Sequence, residues 1–433
     1  MDLAQKIESR SAVCGVIGLG YVGLPLLTRL ARVGYTAVGI DVDEQRVAEL
    51  RAGRSYVGDV TDAEISTPLA AGKLRATTDF AAVAELDTVN ICVPTPLGKS
   101  RQPDLSYVSA ALEAVAQHLH RDQLVILEST TYPGTTEEVA APALEGSGLK
   151  GGEDFFLAFS PERIDPGNKS FPLERIPKVV GGLTPRCTEL AAAFYRQLLP
   201  QVVPVSSART AEMVKLLENT FRIVNIGLIN ELALLSDRLQ VSIWEVVDAA
   251  ATKPFGFMPF YPGPGLGGHC IPVDPFYLSW KVRENGQEAR FIELAGDINR
   301  RMPLHVRERV TEALNDQRKS LNGARVLILG VTYKKDVADT RESAALDLIY
   351  LLQERSAEVV FHDPFVEVLR LDGEERRGVE LSAEELRRAD CVVIVADHSA
   401  YDYAWIVAEA QAVVDTRNAT RAVVAPARKV WKL

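Results

Sequence analysis

The sequence is poor in several features that mark particular classes of protein. Its 433 residues include only five cysteines, an odd number scattered along the chain, which does not make a disulfide framework. No stretch approaches the roughly 18 consecutive apolar residues of a membrane-spanning helix, and the first ten residues, MDLAQKIESR, lack the apolar core of a signal peptide. Basic residues are outnumbered by acidic ones, 48 to 58, which disfavours general binding to nucleic acid or to an anionic membrane. We therefore expect a cytoplasmic protein with neither nucleic acid nor membrane as a partner.

The sequence does contain enough apolar material for several packed domains. Hydrophobic residues make up 47% of the chain and charged residues 24%, the ordinary balance of a globular protein. Strand-like and helical patterns alternate over 12–159 and again over 324–415, and such alternation predicts doubly wound, parallel α/β sheets. The patterns between them are helical, with one long helix predicted over 210–239. The expected α/β fold has two Rossmann-like lobes joined by a central helical region, with boundaries at 1–205, 206–315 and 316–433.

A glycine-rich turn follows the first predicted strand and opens a helix. In this turn Gly18 permits a tight bend, Gly20 lets a diphosphate approach the backbone, and Gly23 packs the helix against the strand. A diphosphate would lie at the helix N-terminus, where free N–H groups and the helix dipole favour anions. Asp41 ends the next predicted strand, where its carboxylate can accept a hydrogen bond from a ribose 2′-hydroxyl and would repel a 2′-phosphate. The pattern predicts an NAD site; the alternative is a tight turn that binds no ligand. Arg46 would lie either along the adenosine of NAD or in solvent.

Cys270 differs from the other cysteines because it lies in a loop rich in glycine. Cys14, Cys92 and Cys391 fall in apolar strand patterns that predict buried side chains. The glycines near Cys270 expose N–H groups that can stabilise an oxyanion, and a thiol on such a loop can attack a carbonyl. The alternative is a core cysteine in a turn, and His269 either activates the thiol or holds the loop. No spacing of His, Cys or carboxylate residues indicates a metal site, so no metal is expected.

Other polar residues fall where a substrate could bind. Lys215 and Asn219 share one face of the predicted long helix, which suits either an oxyanion site or a solvated polar stripe. Lys334 and Arg341 follow the first strand of the second lobe, where cations suit a phosphate-bearing ligand or simply a charged surface. Two segments leave strand ends, where ligands bind in doubly wound sheets: 128–134 and 159–168.

Short motifs occur along the chain in a familiar order: GLGYVGLP at 18–25, SPER at 160–163, EMVKLLEN at 212–219, GGHC at 267–270, and KKD with RES at 334–343. With them the chain resembles the UDP-glucose/GDP-mannose dehydrogenase family over nearly its whole length. Residues 159–168 and 260–274 are most similar to the bacterial members that act on UDP-N-acetylglucosamine.

The resemblance implies a four-electron oxidation of a sugar C6 hydroxyl to a carboxylate with two NAD+. Cys270 would hold the aldehyde as a thiohemiacetal, and loss of the second hydride would leave a thioester that water hydrolyses. The expected substrate is UDP-N-acetylglucosamine. Alternatives are UDP-glucose, UDP-N-acetylgalactosamine or UDP-N-acetylmannosamine, or a nucleotide-sugar-binding regulator without activity. A homodimer formed through the central region and a UDP-binding C-terminal lobe are also implied.

Residue roles follow from the same resemblance. Lys215 and Asn219 would steady the oxyanion, and Asp274 would assist proton transfer with water. Glu162 would support hydrolysis of the thioester, and Thr130 would hold the catalytic water. The NAD site would comprise Gly18, Leu19, Gly20, Tyr21, Val22, Gly23, Asp41, Arg46, Pro94, Thr95 and Thr130. The UDP-sugar would contact Glu162, Arg163, Lys215, Asn219, Tyr261, Gly265, Gly267, His269, Tyr333, Lys334 and Arg341, and Asn168 belongs to the same motif as Arg163.

Overall fold

The computed structural model describes most of the chain, namely residues 1–98, 102–163, 175–268, 270–426 and 428–433. The predictions for Asn168 and His269 lie outside these described residues. No helix in the described part of the chain combines the length and the apolar character that crossing a membrane requires.

The chain forms two compact units. The first contains residues 1–218 and 276–287, and the second contains residues 219–275 and 288–433. The finer division into three parts, with boundaries near 205 and 315, stays a prediction.

The first unit is built on a sheet whose strands are β1 (Val13–Ile17), β2 (Thr36–Ile40), β3 (Leu74–Thr77), β4 (Thr88–Ile91), β5 (Leu124–Leu127), β6 (Phe156–Phe159), β7 (Lys178–Gly182) and β8 (Val202–Pro204). They lie in the order β3-β2-β1-β4-β5-β6-β7-β8, which begins with the strand order of dinucleotide-binding folds. The pairs are parallel, except that β6 and β7 are antiparallel. The parallel sheet expected over residues 12–159 is therefore confirmed. Strand β7 lies beyond that range and was not predicted, and it runs antiparallel to β6.

Helices cover both faces of this sheet: α1 (Leu3–Glu8), α2 (Gly23–Arg32), α3 (Glu44–Arg51), α4 (Asp62–Ala70), α5 (Ser106–Ala116), α6 (Ala141–Glu145) and α7 (Pro185–Arg196). Successive strand residues point to opposite faces. Val16 therefore joins the apolar core beneath α2 and α7, whereas Ile17 joins the core beneath α5 and α6. Because both faces are covered, the strands are apolar runs rather than alternating patterns.

Two helices contain residues of both units: α8 (Ala208–Arg238), which has 31 residues, and α10 (Asp274–Arg283). Between them lies α9 (Ile243–Ala251), and α11 (Arg290–Asp316) follows. The predicted long helix over 210–239 agrees with α8 to within two residues at each end.

The second unit contains a parallel sheet of β9 (Arg325–Leu329), β10 (Glu358–His362), β13 (Cys391–Ile394), β14 (Val413–Asp415) and β15 (Val430–Lys432). Its order is β10-β9-β13-β14-β15, the second common arrangement of doubly wound folds. A hairpin of β11 (Val368–Leu371) and β12 (Glu374–Arg377) is separate, and the remaining helices are α12 (Ala344–Gln353), α13 (Ala383–Arg388) and α14 (Tyr403–Glu409). The α/β fold with a central helical region is thus confirmed.

Candidate active site

The glycine-rich turn after β1 has the geometry that a bound diphosphate requires. Gly18 has a φ of +86°, and a Cβ at this position would lie 2.8 Å from the main-chain oxygen of Cys92. A Cβ on Gly23 would overlap the main-chain oxygen of Gly18, whereas a Cβ on Gly20 would meet no atom within 4 Å. The turn is therefore tight at its two ends and open in the middle, where a phosphate would approach.

The N-terminus of α2 is suited to an anion. Val22 precedes the helix without a side-chain cap, and the first turn contains no acidic residue. The positive end of the helix dipole is therefore not neutralised by a local carboxylate. This arrangement fits the diphosphate of NAD.

Asp41 is held rigidly beside this turn. Its almost fully buried carboxylate accepts hydrogen bonds from the Leu19 N–H at 2.7 Å and from the Asp43 N–H at 2.9 Å. Arg46 lies 3.4 Å from the same carboxylate and over the ring of Tyr56, at 5.9 Å from its centroid. Arg46 is thus a partner of the acid rather than an isolated solvated residue.

The loops after β4 and β5 lie side by side. The Ser129 hydroxyl donates to the Val93 main-chain oxygen at 2.8 Å, which places Thr130 next to the segment that contains Pro94 and Thr95. Tyr277 fixes the same segment by donating to the Thr95 main-chain oxygen at 2.5 Å. In doubly wound sheets the ligand crevice lies outside these strand ends, so the three candidate residues occupy suitable positions.

Lys215 and Asn219 are both buried, at 7% and 5% exposure. The alternative of a solvated polar stripe is therefore wrong. Lys215 Nζ donates to the main-chain oxygen of Glu162 at 2.6 Å. One turn earlier, the buried Glu212 carboxylate accepts from the Gly134 N–H and from both the N–H and the hydroxyl of Thr136. This face of α8 therefore anchors the loop after β5 and the SPER segment after β6.

The SPER segment is held by two charged residues that the sequence patterns did not single out, Glu218 and Lys178. Arg163 forms a salt bridge with Glu218 at 2.6 Å and donates to the Pro177 main-chain oxygen at 2.6 Å. Glu162 lies 3.3 Å from the ammonium of Lys178, which also forms a salt bridge with Glu128. Lys178 was missed because a single lysine at the start of the apolar run KVVGG has no periodic signature.

The half-buried Cys270 begins the turn that leads into α10. Its main-chain oxygen accepts from the N–H groups of Val273, at 3.1 Å, and Asp274, at 2.8 Å. A helix N-terminus favours negative charge, and thiolates are commonly found there. The buried Asp274 carboxylate accepts from Asn219 Nδ2 at 2.6 Å. The second unit thus brings a thiol, a carboxylate and an amide close together.

The cysteines that lie in or beside strands have little thiolate character. Burial raises the pKa of Cys14 and of Cys391 to about 12. Cys92 is half-buried rather than buried, because β4 ends at Ile91 and Cys92 belongs to the following loop. Its pKa is nevertheless raised well above the usual value, first by desolvation and then by the nearby Glu128 carboxylate.

The glycine loop before Cys270 packs against Tyr333. A Cβ on Gly267 would lie 2.6 Å from Tyr333 Cβ, and Gly265 has a φ of +144°. The Gly268 N–H donates to the Arg341 main-chain oxygen at 3.1 Å. Of the predicted substrate residues, Gly267 and Tyr333 are therefore in contact, and Arg341 is joined to the same loop through Gly268.

The remaining candidates of the second unit are positioned by their own partners. Tyr261 stacks on Trp244, with ring centroids 5.8 Å apart, and donates to Asp248 at 2.8 Å. Lys334 is half-buried, whereas the exposed Arg341 forms a salt bridge with Asp339 at 2.6 Å. Both cations follow β9, at an end of the sheet where a phosphate could be bound.

Family models cover most of the chain. Residues 12–199, 209–301 and 327–422 match the NAD binding, central and UDP binding domains of the UDP-glucose/GDP-mannose dehydrogenase family. A UDP-N-acetyl-D-glucosamine 6-dehydrogenase of Pseudomonas aeruginosa is 40% identical over 353 residues, which are 81% of this chain and 82% of the relative. A UDP-N-acetyl-D-mannosamine dehydrogenase of Pyrococcus horikoshii is 37% identical over 385 residues, 88% of each chain.

Solved structures agree with these matches. The UDP-D-ManNAc dehydrogenase of Pyrococcus horikoshii superimposes with a TM-score of 0.88 at 33% identity, covering 97% of this chain and 98% of that one. An NDP-N-acetyl-D-galactosaminuronic acid dehydrogenase of Methanosarcina mazei Go1 gives a TM-score of 0.82 at 29% identity, covering 100% and 97%. The chain therefore belongs to the UDP-glucose/GDP-mannose dehydrogenase family and is an NAD-dependent UDP-sugar dehydrogenase.

Proposed function

We propose that the protein oxidises the C6 hydroxyl of UDP-N-acetylglucosamine to the carboxylate and releases UDP-N-acetylglucosaminuronate. The observation that carries this proposal is the turn that places the Cys270 thiol at the start of α10, one helical turn from the Asp274–Asn219 pair. NAD, when bound at the glycine-rich turn, supplies the acceptor for the two hydrides that leave C6. The choice of sugar is supported by the Pseudomonas aeruginosa relative and by the sequence of residues 260–274.

Cys270 retains the sugar during the reaction. Its sulfur adds to the C6 aldehyde carbon, so the aldehyde stays bound until the second oxidation. Asn219 and Lys215 are assigned to the oxygen on C6, because an amide and an ammonium can both donate hydrogen bonds to a developing oxyanion. Asp274 is assigned to proton transfer, Thr130 to the attacking water, and Glu162 to the removal of a proton from that water.

The substrate assignment is tested by steady-state kinetics on four UDP-sugars with NAD+ and purified protein. We expect the highest kcat/KM with UDP-N-acetylglucosamine, followed by the other N-acetylated sugars. A preference for UDP-glucose would refute the assignment. The second candidate is UDP-N-acetylmannosamine, which the Pyrococcus horikoshii relative and its solved structure favour, and a preference for that sugar would replace the first choice.

We also propose that two copies of the chain associate through α8. Large apolar side chains on this helix are exposed at intervals of three, four or seven residues, namely Met213, Leu217, Phe221, Leu228, Leu232 and Leu235. Such a stripe follows one side of a helix, and an exposed apolar stripe of this length is typical of a protein interface. A second copy would cover it with the same surface, as in two-fold symmetric dimers.

The dimer is tested by light scattering during size-exclusion chromatography. The wild type is expected to have twice the mass of one chain, and Leu228→Asp and Leu232→Asp are expected to lower the mass at micromolar concentration. Val424→Asp is the matched control, because Val424 is 99% exposed and lies outside α8. A wild-type monomer would refute the proposal, as would dimers that both α8 variants leave intact.

A further inference from the structure

We infer that Lys178 is a positioning residue that holds the Glu162 carboxylate in place for the water that hydrolyses the Cys270 thioester. The inference rests on the proposed function, because it assumes a covalent thioester. It adds a residue from the antiparallel strand β7 to the residues on which the reaction depends.

Lys178 forms a bridge between two acids. Its side chain is 7% exposed, and its ammonium lies 2.6 Å from the Glu128 carboxylate and 3.3 Å from that of Glu162. The same ammonium lies 5.2 Å from the centroid of the Tyr195 ring, a suitable distance for a cation–π contact. The ammonium is therefore fixed on several sides rather than free to change rotamer.

Glu128 is the fixed end of the bridge. One of its carboxylate oxygens accepts hydrogen bonds from Asn90 Nδ2 at 2.7 Å and from the Tyr195 hydroxyl at 2.8 Å, and the other accepts from Lys178. All four side chains are buried. A buried carboxylate with its hydrogen bonds satisfied has one position, and so has the lysine paired with it.

Glu162 is the end of the bridge that can reach a ligand. Lys215 holds its main-chain oxygen, while one carboxylate oxygen accepts from the Arg163 N–H at 2.7 Å and the other faces Lys178. Its side chain is 16% exposed, against 1% for Glu128. Of the two glutamate side chains bound to Lys178, that of Glu162 is the more exposed.

The electrostatics support a role in orienting a base. Burial alone would lower the pKa of Lys178, but the charges of Glu128 and Glu162 outweigh burial and raise it above the usual value. Lys178 therefore stays protonated and does not exchange protons with the substrate. A fixed cation beside a carboxylate favours its ionised form, which is the form that accepts a proton from water.

The step that depends on this arrangement is hydrolysis. The water oxygen forms a bond to the thioester carbonyl carbon while Glu162 takes one proton from the water. The C–S bond then breaks and Cys270 leaves as a thiolate with the bonding electron pair. The product acid releases its own proton to solvent, and nothing is oxidised or reduced in this step.

The experiment compares Lys178→Met, Lys178→Arg, Glu162→Gln and the double variant Lys178→Met/Glu128→Gln with the wild type. The double variant also removes the buried charge of Glu128, which Lys178→Met leaves without a neighbouring cation and which would destabilise the fold. Lys73→Met is the control, because Lys73 is an exposed lysine of the same unit. The measurements are thermal unfolding, kcat and KM across pH, and intact protein mass after mixing with NAD+ and UDP-N-acetylglucosamine.

We expect Lys178→Met and the double variant to lower kcat by about a hundredfold, with the KM values within about twofold of wild type, since general-base catalysis and not binding is lost. Both variants should accumulate a sugar adduct on Cys270, as Glu162→Gln should. In both, the acid limb of the kcat–pH profile should move to higher pH because the Lys178 ammonium is gone. Lys178→Arg should restore part of kcat. Lys73→Met should match the wild type.

A double variant that recovers both the unfolding temperature and the kcat of the wild type, with no adduct, would overturn the inference and leave Lys178 a purely structural residue. The proposed function fails by a separate result. If the wild type forms no acid from UDP-N-acetylglucosamine, the proposed substrate is refuted. If Cys270→Ser still forms the acid, the thioester is refuted.

Discussion

Asp41 and Asp363 occupy the same position in the two sheets of the protein. Each carboxylate comes directly after the second strand of its sheet. Each accepts a main-chain hydrogen bond from the residue after the glycine that follows the first strand. The bond from the Leu19 N–H to Asp41 and the bond from the Val331 N–H to Asp363 are both 2.7 Å long. Both sheets thus use a carboxylate to hold the turn after their first strand.

The surroundings of the two acids differ. The fully buried His398 ring lies 3.1 Å from Asp363, and hydrogen bonding to His398 helps to keep the pKa of this aspartate below its usual value in spite of burial. Asp41 has Arg46 instead, a side chain that is 43% exposed. The acid of the first sheet therefore has a partly exposed cation as its partner, at the strand end where a dinucleotide ribose is bound in such folds.

We predict that Asp41→Asn raises the KM for NAD+ by at least about tenfold, equivalent to about 1.4 kcal/mol, and narrows the preference for NAD+ over NADP+. The physical reason is the loss of the charge that binds a ribose hydroxyl and repels a 2′-phosphate. Steady-state kinetics with both cofactors measure the effect. Asp363→Asn is the matched control, and its KM for NAD+ should stay unchanged; an equal rise in both variants would contradict the assignment of Asp41.

The cysteines should differ in their rates of alkylation. With a pKa of about 12, Cys14 and Cys391 are thiolates in only about one molecule in ten thousand at pH 8. Cys270 lies half-buried at a helix N-terminus, so we predict that iodoacetamide labels it first. Peptide mapping of the alkylated protein over time gives the order, and prior addition of UDP-N-acetylglucosamine should slow the labelling of Cys270. Faster labelling of Cys14 or Cys391 would contradict this prediction.

Glu212 should stabilise the loop after β5. Its carboxylate accepts from two main-chain N–H groups, whereas the amide of Glu212→Gln has one acceptor oxygen and must leave one of them without a partner. We predict that this variant lowers the free energy of unfolding by about 1–3 kcal/mol at pH 7. Urea denaturation measures the loss, and Glu113→Gln on the exposed face of α5 should change it little.

A comparison of the wild type with Glu212→Gln also tests how the protonation of Glu212 affects stability. Desolvation raises the pKa of this carboxyl above its usual value of 4.5, although its hydrogen bonds act in the opposite direction. The folded state then binds the proton more tightly than the unfolded state, so stability from this group is greatest below pH 4.5 and declines as the pH rises through the folded pKa. The difference between wild type and Glu212→Gln should be larger at pH 4 than at pH 7. A difference that grows with rising pH would contradict the raised pKa.

The fold around the cofactor turn could be predicted because local rules determine it. Apolar runs, a glycine fingerprint and the left-handed Gly34 after α2, with a φ of +109°, all lie within short stretches of sequence. The strand predicted before the glycine-rich turn is β1, and the predicted strand that leads to Asp41 is β2. The hairpin of β11 and β12 was missed, although Asp372-Gly373 is a common signal for a two-residue hairpin turn.

The charged network behind the SPER segment could not be predicted in this way. Glu128 follows β5, Glu162 follows β6 and Lys178 begins β7, and no periodicity connects such positions. They come together only because β7 runs antiparallel to β6, which local sequence does not encode. The family motifs indicated Glu162 and Lys215 as site residues, but the lysine that joins Glu162 to Glu128 required three-dimensional contacts.

The four-electron oxidation through Cys270 is tested by counting the NADH formed per UDP-N-acetylglucosamine consumed, with the sugar limiting and the reaction run to completion. We expect a ratio of about two and a carboxylate product. Cys270→Ser should form no acid, while binding of NAD+ and of the UDP-sugar is retained in that variant. A ratio of about one would mean that the aldehyde is released and would contradict the covalent role of Cys270.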